Sequence, residues 1–190
     1  MASTWDQRYY SPELARWLTQ TVPTWRLQPS DRVLDVGTGT GVLIPFLLDE
    51  IGESGAITAI DYAEHMIQVC RSKYGHLHNV TIELHDIETL DFSDATFDAI
   101  TCFGVFPHLD HKLLALENFY RVLRSSGRLI VAHALSRTEI NAHHLNTEPA
   151  VANDVLPSAS KMRQLLHDAR FDNISILDEH GRYICLSSKC

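Results

Sequence analysis

From Val33 to Gly41 the chain reads Val-Leu-Asp-Val-Gly-Thr-Gly-Thr-Gly, an apolar run carrying one acid, Asp35, followed by glycines at alternate positions. Glycine lets a backbone approach a ligand closely and adopt conformations that a Cβ opposes. A dinucleotide fingerprint requires a further glycine where Val42 stands. The loop alone leaves open a dinucleotide, another ligand, or a turn that only packs a helix on a strand. Asp61 closes the apolar run 56–60, and a carboxylate there can accept from both hydroxyls of a ribose, which points to an adenosine-containing ligand. Asp86 follows the run 80–84 in the same way, with a solvated surface acid as the alternative. Eleven histidines are present. His108, His133, His143 and His144 fall in segments expected at the same end of the fold, where an imidazole can take a proton near neutral pH. They could also converge on a metal, although adjacent residues on a helix face different ways. Surface or hydrogen-bonding histidines are the default.

These residues need a frame that gathers them. Apolar runs of strand length at 32–36, 56–60, 80–84, 97–102 and 128–132 alternate with segments of helical period at 41–51, 63–74, 111–123 and 158–169. Such alternation predicts an α/β fold with a mostly parallel sheet covered by helices on both faces. Two further strands, 173–177 and 182–187, are separated only by Glu179-His180-Gly181. That is too short for a parallel crossover, so the final strand is antiparallel and forms an edge hairpin. Ser11-Pro12-Glu13 starts a helix within an N-terminal cap, 1–29, which Pro23 and Pro29 end. A weaker helical pattern lies at 137–145, inside an otherwise irregular stretch, 136–157, whose length suggests a substrate lid. Pro45 lacks a helical donor, a loss that the first turn tolerates.

In their order, each at a strand's carboxyl end, the three elements resemble the class I S-adenosylmethionine-dependent methyltransferases. The similarity is to the small-molecule group that includes ubiquinone/menaquinone methyltransferases, and it covers about residues 32–134. It implies a Rossmann-like seven-stranded sheet and S-adenosylmethionine as cofactor, with S-adenosylhomocysteine as product. By the same resemblance Asp35, Gly37, Thr38, Gly39 and Gly41 wrap the methionine end. Asp61, Tyr62 and Met66 meet the sugar and base, Asp86 and Ile87 bracket the adenine, and Phe103 and Gly104 add contacts. For Met66 core packing is the alternative, and Asp98 reads as structural. His108 and His133 are the candidate bases for an acceptor that must lose a proton. Trp5, Tyr9 and Tyr10 could close over the methionine end or pack the cap on the sheet. The loop after the fourth strand departs from the quinone-enzyme pattern and lacks an Asn-Pro-Pro-Tyr-type signature of amino methylation.

The remaining composition narrows the function classes. At 190 residues with 45% hydrophobic content, the chain suits one domain with a sizeable core. A net charge of −8 disfavours a nucleic-acid partner; the basic cluster at 121–128 ends a helix on this reading. No run reaches the roughly 18 apolar residues of a membrane span, and the N-terminus lacks a secretory pattern, so the expected location is cytoplasmic. Cys70, Cys102, Cys185 and Cys190 are dispersed and read as reduced, with Cys102 and Cys185 in the core. The expected activity is methyl transfer to a small molecule by a monomer or homodimer. The alternatives are a nonenzymatic cofactor-binding protein and a nicotinamide-dependent oxidoreductase.

Overall fold

The computed structural model describes residues 11–147 and 154–190; Trp5, Tyr9 and Tyr10 fall outside them. Seven strands form one sheet: β1 Arg32–Val36, β2 Ala56–Asp61, β3 Val80–Leu84, β4 Phe97–Phe103, β5 Leu123–His133, β6 Phe171–Glu179 and β7 Arg182–Lys189. Their spatial order is β3-β2-β1-β4-β5-β7-β6. The first five strands run parallel, and β7 lies antiparallel between β5 and β6. The chain therefore builds outward from β1 to β3 and restarts at β4 on the other side. Crevices form at such a reversal, beyond the strands' carboxyl ends.

Residues along the strands alternate between two cores, as the two-residue period requires. Leu34, Val36, Ile100 and Cys102 join Phe97 and Phe119 on one face. Val33, Ile57, Ala59 and Ala99 join Leu47 and Trp25 on the other. Helices α1 Pro12–Thr21, α2 Ile44–Ile51 and α3 Glu64–Tyr74 cover the second face. Helices α4 Lys112–Val122 and α6 Ala159–Asp168 cover the first. Between β5 and α6 runs α5 Arg137–Thr147.

Three boundaries differ from the sequence expectation in ways that matter. Helix α2 begins at Ile44 rather than at 41, because the turn through Gly41 comes first; Pro45 then occupies its first turn, where no donor is missed. Strand β5 begins at Leu123, pairing with Phe97 before a shift in register, so the basic segment 121–128 is mostly strand. There Arg124 pairs with Asp98 at 2.9 Å, and Asp98 also accepts from the Arg32 amide at 2.8 Å, a structural role. The stretch after β5 is helical over Arg137–Thr147. Its start is a capping box in which Ser136 Oγ accepts from the Glu139 amide while Glu139 Oε2 accepts from the Ser136 amide. No helix among the described residues is long and apolar enough to cross a membrane.

Candidate active site

The turn leaving β1 has positive φ at Gly37, Gly39 and Gly41, and the three glycines face different surroundings. A Cβ on Gly37 would lie 2.2 Å from a Val105 methyl, and one on Gly41 would lie 2.6 Å from the Tyr74 ring and 2.9 Å from Cys70 Sγ. One on Gly39 would meet nothing within 4 Å. Gly39 thus borders open space, whereas Gly41 is a packing glycine against α3. Asp61, the last residue of β2, holds this turn in place. Its Oδ2 accepts from the Gly39 amide at 2.8 Å and its Oδ1 from the Ala63 amide at 2.9 Å.

The open space is a cavity of about 780 Å³ at the carboxyl ends of β1, β2, β4 and β5. Of the residues picked out from sequence, Gly37, Thr38, Gly39, Asp61, Tyr62 and Met66 line one end. Phe103, Gly104, His108 and His133 line the rest, with His143 and His144 of α5. Met66 therefore faces the cavity and not only the core. Strands β2, β4 and β5 each run one residue further than expected, ending on Asp61, Phe103 and His133.

Four expected contacts are placed elsewhere. Asp35 points into the face covered by α2 and α3 and is buried beneath the loop rather than on the cavity wall. Thr101 Oγ1 donates to its Oδ1 at 2.8 Å, and Oδ2 has no partner; burial raises this carboxyl to about 6. Gly41 is turned to Tyr74 as described. Asp86 is exposed and accepts from the Glu88 amide at 2.9 Å, while Ile87 is buried in the core beside Leu90. Neither of these two reaches the cavity wall.

Several walls of the cavity carry no site signal in the sequence. Trp17 of α1 stacks on Phe103 with ring centroids 5.7 Å apart, and its Nε1 donates to the Gly181 carbonyl at 3.1 Å. Val105 and Ile140 add apolar surface. For Trp17 the only sequence signal was its place on the apolar stripe of a capped helix, which reads as packing. The expected lid contributes α5, and residues 148–153 lie outside the described set.

The histidines gather at the end away from Asp61. His133 is 6% exposed and its Nε2 has no partner. Burial, with His108 and His144 nearby, lowers it to about 3, so it stays neutral. The His108 and His144 rings are 4.9 Å apart. His108 Nδ1 lies 2.6 Å from Asp154 Oδ2. Among the described residues no three His, Cys, Asp or Glu side chains are grouped to hold a metal ion, and no Lys or Arg lines the cavity. Cys70, Cys102 and Cys185 are buried free thiols.

Comparison with known proteins identifies the family. The signature of a family described as a methyltransferase domain matches residues 27–177. A ubiquinone/menaquinone biosynthesis C-methyltransferase of Teredinibacter turnerae is 30% identical over 163 residues, covering 81% of this chain and 66% of that protein. A demethylmenaquinone methyltransferase of Listeria welshimeri is 33% identical over 116 residues, 60% of this chain and 49% of the relative. The chain thus spans about half to two thirds of the length of these relatives. Among solved structures, a SAM-dependent methyltransferase from Aquifex aeolicus superposes with a TM-score of 0.70 at 24% identity, covering 90% of this chain and 87% of that one. A putative S-adenosylmethionine-dependent methyltransferase from Methanococcus maripaludis gives 0.77 at 16% identity, covering 99% and 91%. With the fold, the glycine turn and the family signature in agreement, the chain belongs to the class I S-adenosylmethionine-dependent methyltransferase family.

Proposed function

We propose that this chain transfers the methyl group of S-adenosylmethionine to a small, largely apolar acceptor. The observation that carries the reading is one continuous cavity joining the Gly39–Asp61 end to the histidine end. The residues present fit the cofactor. Gly39 leaves a cradle that a Cβ would fill, and Asp61 presents a buried carboxylate whose remaining lone pairs can take ribose hydroxyls. Gly37, Thr38, Gly39 and Asp61 would hold the cofactor, with Tyr62 and Met66 beside the sugar and base and Phe103 and Gly104 at the opposite wall. Asp86 and Ile87 remain candidates for the adenine edge, outside the cavity wall.

When bound, S-adenosylmethionine supplies an electrophilic methyl on a sulfonium that leaves as the neutral thioether of S-adenosylhomocysteine. The protein's contribution is to hold two reactants in line, a source of much of the acceleration in such displacements, and to keep water out under α1 and α5. Phe103, Val105, Leu135 and Ile140 give the acceptor end apolar walls. Those walls, with the names of the relatives, favour a quinone-like or other aromatic acceptor methylated on carbon or oxygen. On this reading His108 is the base for its proton, and His133, held neutral by burial, lies beside it.

Titration calorimetry with S-adenosylhomocysteine tests the reading. The wild type is expected to bind, Gly39→Val to lose detectable binding, and Asp61→Ala to bind at least tenfold more weakly, a loss of about 1.4 kcal/mol. Unchanged affinity in both variants sinks the site. Binding without label transfer to any acceptor in a broad metabolite pool would favour a nonenzymatic cofactor-binding role.

A further inference from the structure

His108 stands at the end of a short 3₁₀ turn, Phe106–His108, and Asp154 follows α5. The two are separated by 46 positions and meet at 2.6 Å through Nδ1 and Oδ2. The pairing suits a neutral imidazole that donates from Nδ1 to the carboxylate, an arrangement that leaves the lone pair on Nε2. The backbone that carries this carboxylate is held in place from behind. His144 Nδ1 bonds the Asp154 carbonyl. Asn141 of α5 clamps Leu156 twice, its Oδ1 accepting from the Leu156 amide at 2.8 Å and its Nδ2 donating to the carbonyl at 3.2 Å.

The surroundings limit what such a base can serve. Among the described residues the cavity carries no Lys or Arg, so a carboxylate or phosphate acceptor would find no counter-ion. His133 adds a neutral imidazole with an unpartnered, buried Nε2.

Resting on the methyltransferase reading, we propose that Asp154 is a positioning residue that fixes His108 with Nε2 free, and that His108 takes the proton of a neutral acceptor bearing a phenolic or enolic hydroxyl. The O–H bond breaks and an N–H bond forms at Nε2. The resulting imidazolium is stabilised by the Asp154 carboxylate. The electron pair left on the acceptor, on oxygen or the conjugated carbon, forms the bond to the methyl carbon as the S–C pair returns to sulfur.

Two-bond ¹H–¹⁵N spectra of ¹⁵N-histidine-labelled protein loaded with S-adenosylhomocysteine read the tautomer directly, with His108→Gln assigning the His108 signals. The wild type is expected to show the Nδ1–H form. Asp154→Asn, whose amide can donate to Nδ1, is expected to shift His108 toward the Nε2–H form, and Asp154→Glu to restore the wild-type pattern. Neither variant should change affinity for S-adenosylhomocysteine by more than about twofold. An Nε2–H tautomer in the wild type, or no response to Asp154→Asn, overturns the proposal; should that variant fail to fold, the wild-type tautomer still decides.

The proton step is read with 4-nitrocatechol, in a buffer where the free probe is mostly protonated. The loaded wild type is expected to raise the ionised absorption band, and Asp154→Asn and His108→Gln to lose that rise. On any acceptor so activated, these two variants should slow turnover by about 10²–10⁴-fold. A wild type that binds S-adenosylhomocysteine but leaves the probe spectrum unchanged at millimolar concentration overturns the acceptor class. Absence of S-adenosylhomocysteine binding would instead defeat the methyltransferase reading beneath it.

Discussion

Gly39 and Gly41 share a left-handed backbone and differ in what lies over the α-carbon, so the same substitution should separate binding from stability. Gly39→Ala costs about 1–3 kcal/mol from the strained φ alone, and its methyl enters the cavity. Gly41→Ala carries that strain plus about 1–3 kcal/mol for displacing Tyr74 and Cys70. Urea unfolding beside calorimetry checks the contrast: Gly41→Ala should show the larger fall in midpoint, Gly39→Ala the larger fall in S-adenosylhomocysteine affinity relative to its stability loss. The alternation of glycines was legible in sequence because spacing alone signals a turn. Which glycine meets a ligand was not, because Tyr74 belongs to another helix. The surroundings of Asp35 were hidden for a similar reason. The pleat turns it away from the cavity, and the partner that receives it, Thr101, sits on a neighbouring strand.

At the scale of elements, the tip of the β6–β7 hairpin ties down both flanks of the cavity mouth. Gly181 receives Trp17 Nε1 of α1 on its carbonyl at 3.1 Å and donates its amide to Glu139 of α5 at 2.9 Å. Trp17→Phe keeps a ring against Phe103 and loses the bond, an expected cost of about 0.5–1.5 kcal/mol; Trp17→Ala also loses the stack, adding about 0.5–1.5 kcal/mol beyond its buried area. Equal unfolding midpoints for the two variants would show that the stack contributes nothing. Hydrogen bonds from Ser136 and Gly181 lower Glu139 to about 2. A depressed acid stabilises the fold above its unfolded value and loses that contribution as pH falls through its folded value. Amides in the first turn of α5 should therefore exchange faster as pH falls from about 4.5 to 2, once the intrinsic pH dependence of exchange is subtracted, and Glu139→Gln should remove that change. The helical pattern at 137–145, which includes Glu139, was readable in the sequence. That the same Glu139 also reaches the hairpin, 42 positions away, was not.

For the molecule as a whole, two buried groups give stability opposite slopes against pH. His133 is lowered to about 3, so below its ordinary value the unfolded chain takes a proton that the folded chain refuses, and stability falls as pH drops from about 6.5 toward 3. Asp35 is raised to about 6, so its contribution is complete below the ordinary aspartate value and is lost as pH rises from about 4 through 6, roughly 3 kcal/mol at most. Between about pH 4 and 6 the two oppose each other. Urea midpoints measured across this range should decline less on the acid side for His133→Gln, and should rise relative to wild type above pH 6 for Asp35→Asn. Parallel curves for variants and wild type would contradict both assignments.

Sequence patterns were enough for the strand and helix order, the antiparallel final strand, the glycine turn and Asp61 at the carboxyl end of its strand. Those follow from local periods of two and 3.6 residues and from turn chemistry, which need no knowledge of distant neighbours. Distant contacts alone explain why Asp35 meets Thr101 under the loop, why Gly41 packs against Tyr74, why Trp17 forms a wall and why Asp154 meets His108. Those contacts join residues up to 164 positions apart. They exist because two cores, packed on opposite faces of one sheet, fix where each strand ends and which side chains then share a cavity.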